Sequence, residues 1–451
     1  MRLPVTDLAA LDRAIADGTR SDYIYMYPPR QAYRTLGAED DKILRLKTDS
    51  LRIGDRVNVY VHIPFCQQIC GFCNLYTTAS RDSELRSRYV AALRRQIHDL
   101  GTLLQGGRTA AIATMYLGGG TPTSLSVADL RLLVESFREA CPSSNGTTEY
   151  AIEADPQTVD DSSLRALHEI GFTRISFGFQ SRVSSEIRSI GRQTSPDEQA
   201  ESVERALSAG FTNVCVDLIY GLPGQSPDAW THSVEACIDL GPQTICCYPL
   251  TLRPNTGFGR KGHVGADGKL SYRLWETADE LLKAAGYVQE THVRWSLNGG
   301  GYLQKQLHWG MENVVGLGAG ARSYLCHIDT RYGYSILQRR RVLTEFLSRS
   351  EAGLPQPVDG YVMTSEERLR KAVVLGLFNL DVDKAQRLSG SDPLKVFEVE
   401  FEGLIGRGLL READNRRLAL TTTGSKYRDL IVQMFFSPAV RALAESFDYN
   451  E

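Results

Sequence analysis

Three cysteines, Cys66, Cys70 and Cys73, lie within eight residues of each other in a chain that has nine cysteines in total. Their spacing is C-x3-C-x2-C, and they follow the apolar stretch Val57–Val61, which predicts a tight loop after a strand. Three thiolates on one loop can hold three irons of a cubane [4Fe–4S] cluster and leave the fourth iron open. A structural zinc site would need a fourth protein ligand, yet the next cysteine is Cys141. The alternative is three structural thiols, but the spacing favours a cluster with one open iron.

The elements that must position this loop are six short β-like runs separated by segments with helical periodicity. The predicted strands are Val57–Ile63, Thr114–Leu117, Tyr150–Glu153, Arg174–Phe177, Asn213–Ile219 and Thr244–Leu250. The predicted helices include Glu84–Leu104, Val127–Ala140, Asp161–Ile170, Pro196–Ala209 and Pro227–Leu240. Strand–helix alternation requires parallel strands and right-handed crossovers, so the sequence predicts an α/β fold built on an open, partial (β/α)6 barrel.

In barrels of this kind the chemistry collects where the strands end at their carboxyl termini. Polar or glycine residues stand at these predicted ends, although a purely structural barrel would need only turn residues there. The first strand leads into the cysteine loop, the second into Gly118–Thr121, and Glu153 ends the third. Gln180 follows the fourth strand and Asp217 lies in the fifth. We therefore expect one shared site along this rim.

The pattern changes after the barrel, and we divide the chain into three parts: an N-terminal arm (1–50), the barrel with its extension (51–335) and a C-terminal domain (336–451). In the last part, helix-like segments precede a short two-stranded wing near 408–424, which predicts a winged-helix-like α+β domain. This segment mixes both charge signs and carries no dense basic stripe, so we expect no nucleic-acid binding.

The composition is that of an ordinary globular protein. The chain has 451 residues, a hydrophobic content of 42% and a formal net charge of −3, so it has no field that favours nucleic acid or anionic membranes. No apolar run reaches the length of a membrane-spanning helix, and the N-terminus lacks the apolar region of a signal peptide. We expect a soluble, cytoplasmic protein with no membrane partner.

The run from His62 to Cys73, H-I-P-F-C-x3-C-x-F-C, resembles the radical S-adenosylmethionine (SAM) superfamily. Within it, the sequence is most similar to the family of oxygen-independent coproporphyrinogen oxidase and its relatives, which include a heme chaperone branch and class C radical SAM methyltransferases. The resemblance implies a [4Fe–4S] cluster on Cys66, Cys70 and Cys73, whose open iron binds SAM. It also implies reductive cleavage of SAM to a 5′-deoxyadenosyl radical, with electrons from a flavodoxin- or ferredoxin-type donor.

The same resemblance implies a set of residues that contact SAM. These are Tyr60, Phe72, Gly119, Gly120, Thr121, Glu153, Gln180, Arg192, Asp217, Pro249 and Arg322. Arg192 suits the role chemically because a guanidinium pairs bidentately with a carboxylate such as that of methionine. Asp217 lies in a buried-type strand and would be costly there without a bonding partner. Core packing is the alternative role for Tyr60 and Phe72, and helix capping is the alternative for Glu153.

The chain departs from the oxidase pattern, because Asn74-Leu75 follows Cys73 where the oxidase has a fourth cysteine. The segment Tyr23–Arg34 looks more like that of methyltransferase-like members. We therefore expect a class C methyltransferase that uses two SAM molecules to methylate an sp2 carbon of a heteroaromatic natural-product intermediate, with a partner methyltransferase where cyclopropane forms. Tyr25, Tyr27 and His308 are the candidates for proton transfer.

Two alternatives stay open. One is an enzyme that acts on a tetrapyrrole, such as an anaerobic coproporphyrinogen III oxidase. The other is a heme chaperone, a branch that also lacks the fourth cysteine. His308 offers a heme-binding histidine for this second alternative, although packing beside Trp309 is the simpler role for it.

Overall fold

The computed structural model describes residues 3–36, 40–54, 56–105, 111–141, 148–297, 299–352 and 359–448. Its centre is a row of six parallel strands that run in chain order, as predicted. The six barrel strands are Arg56–Ile63, Ala111–Gly119, Glu149–Ala154, Arg174–Gln180, Asn213–Tyr220 and Thr244–Pro249. Each strand pairs with the next in parallel register, for example Ile63 with Gly119 and Leu117 with Ile152. The prediction of an α/β partial barrel is confirmed.

Helices cross over between these strands and cover the outer face of the sheet. They are Ser83–Gln105, Val127–Ala140, Asp161–Ile170, Ser184–Ser189, Pro196–Ser208 and Pro227–Asp239. The sequence specifies their ends locally. Ser195 and Glu198 form a capping box at the start of Pro196–Ser208, and Gly171 ends Asp161–Ile170 with a φ of 110°.

The sheet continues beyond the six predicted strands. Asn313–Leu317 pairs in parallel with the first barrel strand, so the parallel region has seven strands. Antiparallel strands extend both ends of the sheet: Arg322–Tyr324, Ile328–Arg331, Asp359–Val362 and Arg34–Thr35 at one end, and Arg294–Ser296 and Val288–Thr291 at the other. The sheet is therefore an open barrel whose two ends do not pair with each other within the described residues.

The remaining elements surround the barrel or lie after it. A three-stranded sheet in the C-terminal part contains Leu380–Asp381, Leu410–Ala413 and Arg417–Leu420. The main helices outside the crossovers are Leu8–Ala16, Asp40–Leu51, Gly268–Ala284, Leu303–Trp309, Arg339–Ala352, Ser365–Gly376, Val382–Ser389, Glu398–Gly406 and Pro438–Glu445. Among the described helices, none has the length and apolar composition of a membrane span.

Two hydrophobic cores hold these elements together. The larger one lies between the barrel sheet and its crossover helices. The second joins N-terminal residues such as Leu11 and Tyr27 to C-terminal residues such as Val373 and Phe435. Residues from opposite ends of the sequence therefore share one core, and the N-terminal arm is fixed against the C-terminal helices.

A buried ion pair connects the C-terminal helices to the extended sheet. Lys371 Nζ lies 2.6 Å from Asp329 Oδ1, and their side chains are 3% and 0% exposed. The ammonium group also donates to the carbonyl oxygen of Leu325 at 3.1 Å. Both charges are thus paired and hydrogen-bonded away from water.

We predict that Lys371→Ala lowers the free energy of unfolding by about 3–5 kcal/mol, because the Asp329 carboxylate stays buried without its partner. Denaturant unfolding measures this loss. The control is Arg88→Ala, which breaks an exposed pair with Glu351 and should cost less than about 1 kcal/mol. Equal losses for the two variants would contradict the assignment.

Candidate active site

The three predicted cluster cysteines meet in one cavity at the carboxyl ends of the barrel strands. The cavity encloses about 1010 Å³, part of it open to solvent, and Cys66, Cys70 and Cys73 all line it. Thr121 Oγ1 donates to Cys66 Sγ at 3.7 Å, and Arg192 Nε donates to Cys70 Sγ at 3.3 Å. No further cysteine among the described residues lines this cavity, which we call the cysteine cavity.

This donor set fits a cluster that is held by three thiolates. Burial raises the pKa of the Cys66 thiol to about 12 and also raises the pKa of Cys73. Thiolates in such surroundings require a strong compensating positive charge, which iron supplies directly. With a cluster on these cysteines, reductive cleavage of a bound SAM is the chemistry that the cavity would support.

Glycines after the second barrel strand let the backbone approach the cysteine loop. The backbone N–H of Gly120 donates to the carbonyl oxygen of Ile63 at 2.8 Å, and a Cβ at Gly120 would lie 2.7 Å from the carbonyl oxygen of Phe65. Gly119 has a φ of 113°, a conformation that side chains disfavour. Both glycines and Thr121 line the cysteine cavity, so this predicted segment stands at the site.

Glu153, at the end of the third strand, faces the same cavity. Its Oε2 accepts from the backbone N–H of Gly119 at 2.9 Å, and its Oε1 accepts from Tyr116 Oη at 3.0 Å. Burial raises the pKa of Glu153 to about 7, while the hydrogen bond from Gly119 lowers it. A carboxylate in this position can pair with a ligand ammonium group, and the helix-capping alternative does not apply because Glu153 is in a strand.

The other polar wall comes from the fourth and fifth strands. Gln180 has a φ of 71° beside a register shift in the fourth strand, which is an unusual conformation for glutamine. Arg192 donates to the carbonyl oxygen of Gly178, and its Nη1 lies 3.5 Å from Asp155 Oδ2. Burial raises the pKa of Asp217 well above its ordinary value. The structure therefore brings the three predicted residues to one wall of the cysteine cavity.

The remaining predicted residues do not all reach this cavity. Phe72 lines it, whereas Tyr60 and Arg322 line a neighbouring one. Pro249 ends the sixth strand at the same rim but does not line either of these two cavities. Tyr27 lies in the second hydrophobic core, where its hydroxyl donates to Glu367, so its predicted role in proton transfer has no support in the geometry.

The neighbouring cavity encloses about 880 Å³, part of it open to solvent, and we call it the tyrosine cavity. It shares Leu75, Gly119 and Glu153 with the cysteine cavity, so a ligand in one would lie against a ligand in the other. Its aromatic walls are Tyr25, Tyr60, Tyr76, Tyr302, Tyr324, Tyr334, His62 and His308. The sequence patterns did not single out Tyr302 or Tyr334, because these residues belong to no motif.

Two cations stand in the tyrosine cavity, Lys305 and Arg322. Among the described residues, no carboxylate lies within ion-pair distance of either one. Arg322 Nη1 donates to Tyr25 Oη at 2.8 Å. Burial lowers the pKa of Lys305 to about 8; burial also opposes ionisation of Tyr25, yet nearby Arg322 and Arg30 lower the pKa of this phenol. Sequence reasoning missed Lys305, whose position depends on tertiary contacts.

Comparisons with known proteins agree with this arrangement. The model of the radical SAM superfamily matches residues 60–237, which contain the end of the first barrel strand, the three cysteines and the second to fifth barrel strands. The heme chaperone HemW of Mycobacterium tuberculosis (strain CDC 1551 / Oshkosh) is 30% identical over 84% of this chain and 95% of its own length. The chain belongs to the HemW-like family of radical SAM proteins.

Other members of the family and a solved structure extend the match. The oxygen-independent coproporphyrinogen III oxidase of Pseudomonas aeruginosa is 29% identical over 83% of this chain and 84% of its own length. The structure of coproporphyrinogen III oxidase (HemN) from Escherichia coli covers 96% of this chain and 99% of its own, with a TM-score of 0.78 and 20% identity. This last similarity shows a common fold.

The prediction of a class C methyltransferase is wrong. The relatives that match most of the chain are heme chaperones and coproporphyrinogen III oxidases. The absent fourth cysteine and the tyrosine-rich N-terminal segment were therefore misinterpreted as methyltransferase features. Methylation of a natural-product intermediate is wrong for the same reason. The partner methyltransferase was expected only for that reaction, and the comparisons do not test it.

We predict that alanine at Cys66, Cys70 or Cys73 abolishes cluster assembly, since each removal leaves one iron without its protein ligand. Anaerobic reconstitution followed by iron and sulfide analysis measures the loss. The control is Cys141→Ala, a buried thiol outside the cavity, which should keep full iron content. Full iron loading of any single variant at the three positions would contradict the assignment.

We predict that Glu153 makes SAM binding pH-dependent. The carboxylate is lost as the pH falls through about 7, so SAM affinity should fall between pH 8 and pH 6. Glu153→Gln should bind SAM about tenfold more weakly at pH 8, with a flat profile, because it loses a charge-assisted hydrogen bond. Calorimetry on the anaerobically reconstituted protein measures both.

The control is Glu149→Gln, on the same strand but outside both cavities, which should keep the pH profile of the original protein. In the absence of SAM, the raised pKa of Glu153 has the opposite effect on folding: the free energy of unfolding falls as the pH rises, whereas SAM affinity increases. Because the ordinary pKa is 4.5, the contribution of Glu153 to stability falls as the pH rises from 4.5 to 7. Glu153→Gln should make the fall in unfolding free energy between pH 4.5 and 7 shallower, while Asp217 and Glu149, whose pKa values are also raised, keep their share of it. An unchanged slope would exclude a contribution from Glu153.

Proposed function

We propose that this protein binds a carboxylate-bearing tetrapyrrole in the tyrosine cavity and acts on it with the radical that SAM yields in the cysteine cavity. The observation that carries the proposal is the contact between the two cavities at Gly119, Glu153 and Leu75. A ligand in the tyrosine cavity would have one edge beside SAM. Radical transfer requires such close approach of the reacting atoms.

The lining of the tyrosine cavity suits this class of ligand. A tetrapyrrole presents a broad apolar ring system, which packs against aromatic side chains such as Tyr302 and Tyr324. Its carboxylate side chains would pair with Lys305 and Arg322, the two cations without a carboxylate partner among the described residues. Burial of these cations strengthens each charge-assisted bond to a ligand. The names of the relatives, heme chaperone and coproporphyrinogen III oxidase, support the same ligand class.

The residues of the cysteine cavity would bind the cluster and SAM. When bound, the reduced cluster would supply the electron that cleaves SAM. Glu153 would hold the methionyl ammonium group and Arg192 its carboxylate. The prediction of two SAM molecules depended on methyl transfer, and the present proposal needs only one SAM molecule.

For the electron source we retain a flavodoxin- or ferredoxin-type donor. This donor would dock beside the cysteine loop, where Ile69 is 40% exposed.

A second candidate function is that of a heme carrier. Asn74 and Leu75 follow Cys73 where the oxidases have a fourth cysteine, and this favours binding without the oxidase reaction. A carrier would bind heme tightly and form no 5′-deoxyadenosine in response to it. The two candidates therefore differ in one measurable product.

The test is anaerobic incubation of the reconstituted protein with SAM and dithionite, with coproporphyrinogen III or heme as the added ligand. We expect 5′-deoxyadenosine to form faster when one of these tetrapyrroles is present. Tight binding without this increase would favour the carrier. Absence of binding for both tetrapyrroles would overturn the proposal.

We predict that Lys305→Met weakens tetrapyrrole binding by about tenfold or more, because the ligand carboxylate loses a charge-assisted hydrogen bond. Absorbance titration measures the affinity. The control is Lys261→Met, which removes an exposed lysine outside the tyrosine cavity and should leave the affinity unchanged. Equal affinity in the two variants would show that Lys305 does not hold the ligand.

A further inference from the structure

Two thiols lie beside Asp217 on the inner face of the barrel. Cys215 stands two residues before Asp217 on the fifth barrel strand, and Asp217 pairs with Cys246 on the sixth. Alternate residues of a strand point to the same face of the sheet, so the three side chains share one face. Asp217 lines the cysteine cavity, which identifies this face as the inner one. Cys247 is on the opposite face and belongs to the larger hydrophobic core.

The distances between these three side chains are those of ligands around one tetrahedral ion. Cys215 Sγ lies 3.8 Å from Cys246 Sγ and 3.7 Å from Asp217 Oδ1, and the three ligand atoms are all within 4.8 Å of one another. A tetrahedral zinc ion with Zn–S bonds of about 2.3 Å holds two sulfur atoms about 3.8 Å apart. With a Zn–O bond of about 2.1 Å, the sulfur–oxygen separation is about 3.6 Å. The three side chains can therefore reach one zinc ion with small shifts.

The neighbours of the two thiols are polar, although both thiols are buried. Arg174 on the fourth strand donates to Ser176 Oγ at 2.6 Å and to the carbonyl oxygen of Gly301 at 3.0 Å. Thr244, which pairs with the first of the two cysteines, donates from its hydroxyl to Asn213 Oδ1 at 3.1 Å. Cysteines that serve only as small apolar side chains would pack among apolar groups. The polar layer favours a binding role for the two thiols.

The charges around the three side chains suit a divalent cation. The hydrogen bond with Cys246 lowers the pKa of Cys215 to about 6; burial opposes this shift and nearby Arg174 supports it. A thiolate, the form that binds metal ions, is therefore available at neutral pH. Two thiolates and one carboxylate bring three negative charges, of which a divalent ion cancels two. Arg174, whose hydrogen bonds go to neutral groups, balances the third, whereas nearby Arg294 already pairs with Glu290 at 2.6 Å.

We propose that Cys215, Asp217 and Cys246 form a second metal site, which binds one zinc ion on the inner face of the barrel, apart from the cysteine loop. Thiolate ligands favour zinc over magnesium and calcium, and three protein ligands leave the fourth position for water. Asp217 also lines the cysteine cavity, so the zinc ion would fix the orientation of a carboxylate that is expected to contact SAM. The inference does not depend on which ligand the tyrosine cavity binds.

The test is metal analysis of the full-length protein after anaerobic reconstitution of its cluster, incubation with zinc sulfate and gel filtration. We expect one zinc ion per chain in addition to the iron of the cluster. Cys215→Ala and Cys246→Ala should each weaken zinc binding by about a hundredfold or more, measured by competition with a chelator, because each removes a direct ligand. Their iron content should stay unchanged, which shows that they fold. The control is Cys247→Ala, a buried thiol on the opposite face, which should keep the zinc.

A second measurement does not depend on any variant. X-ray absorption at the zinc edge reports the neighbours of zinc without interference from the iron of the cluster. It should show two sulfur atoms at about 2.3 Å and oxygen atoms at about 2.0–2.2 Å. Three sulfur neighbours, together with a loss of iron, would place the zinc on the cysteine loop and overturn the inference. Absence of bound zinc, or equal zinc retention in Cys215→Ala, Cys246→Ala and Cys247→Ala, would also overturn it.

Discussion

Parallel pairing of neighbouring strands is the constraint on which the site depends. Parallel strands place all their carboxyl ends at one edge of the sheet, so residues that are far apart in sequence meet there. The cysteine loop follows the first strand, Gly119 ends the second, and Glu153 is the last residue but one of the third. Gln180 and Asp217 complete the rim from the fourth and fifth strands. The cluster cysteines and most of the residues expected to hold SAM are adjacent for this reason, while Arg192 reaches the site from the loop after the helix Ser184–Ser189.

Burial at this rim has an electrostatic cost that ligands relieve. Glu153 and Asp217 have raised pKa values because their surroundings exclude water, and the pKa of Lys305 is lowered for the same reason. In the protein without ligands, burial therefore disfavours the charged forms of these groups. An ammonium group beside Glu153 and a carboxylate beside Lys305 would remove the cost and gain a strong interaction in a low dielectric. Stability and ligand binding oppose each other at these positions.

The tyrosine cavity has a different origin, because long-range contacts build it. Tyr25 comes from the N-terminal arm, Tyr60 from the first barrel strand, and Lys305 and Arg322 from the extension of the barrel. The arm stays in place because its apolar residues share a core with the C-terminal helices, which the buried Lys371–Asp329 pair connects to the sheet. The C-terminal part thus supports a wall of the cavity from a distance.

The sequence by itself determined the six barrel strands, the crossover helices and the cysteine site. These features depend on local periodicity, on caps such as Ser195 and Gly171, and on ligands spaced within eight residues. Tertiary structure decided the seventh parallel strand and the tyrosine cavity, including the placement of Lys305. It also decided that Tyr25 lines the tyrosine cavity, whereas Tyr27, two residues later, is buried in the second hydrophobic core. The physical reason is that such placements depend on which distant segments pack together, and a local sequence pattern does not specify those long-range contacts.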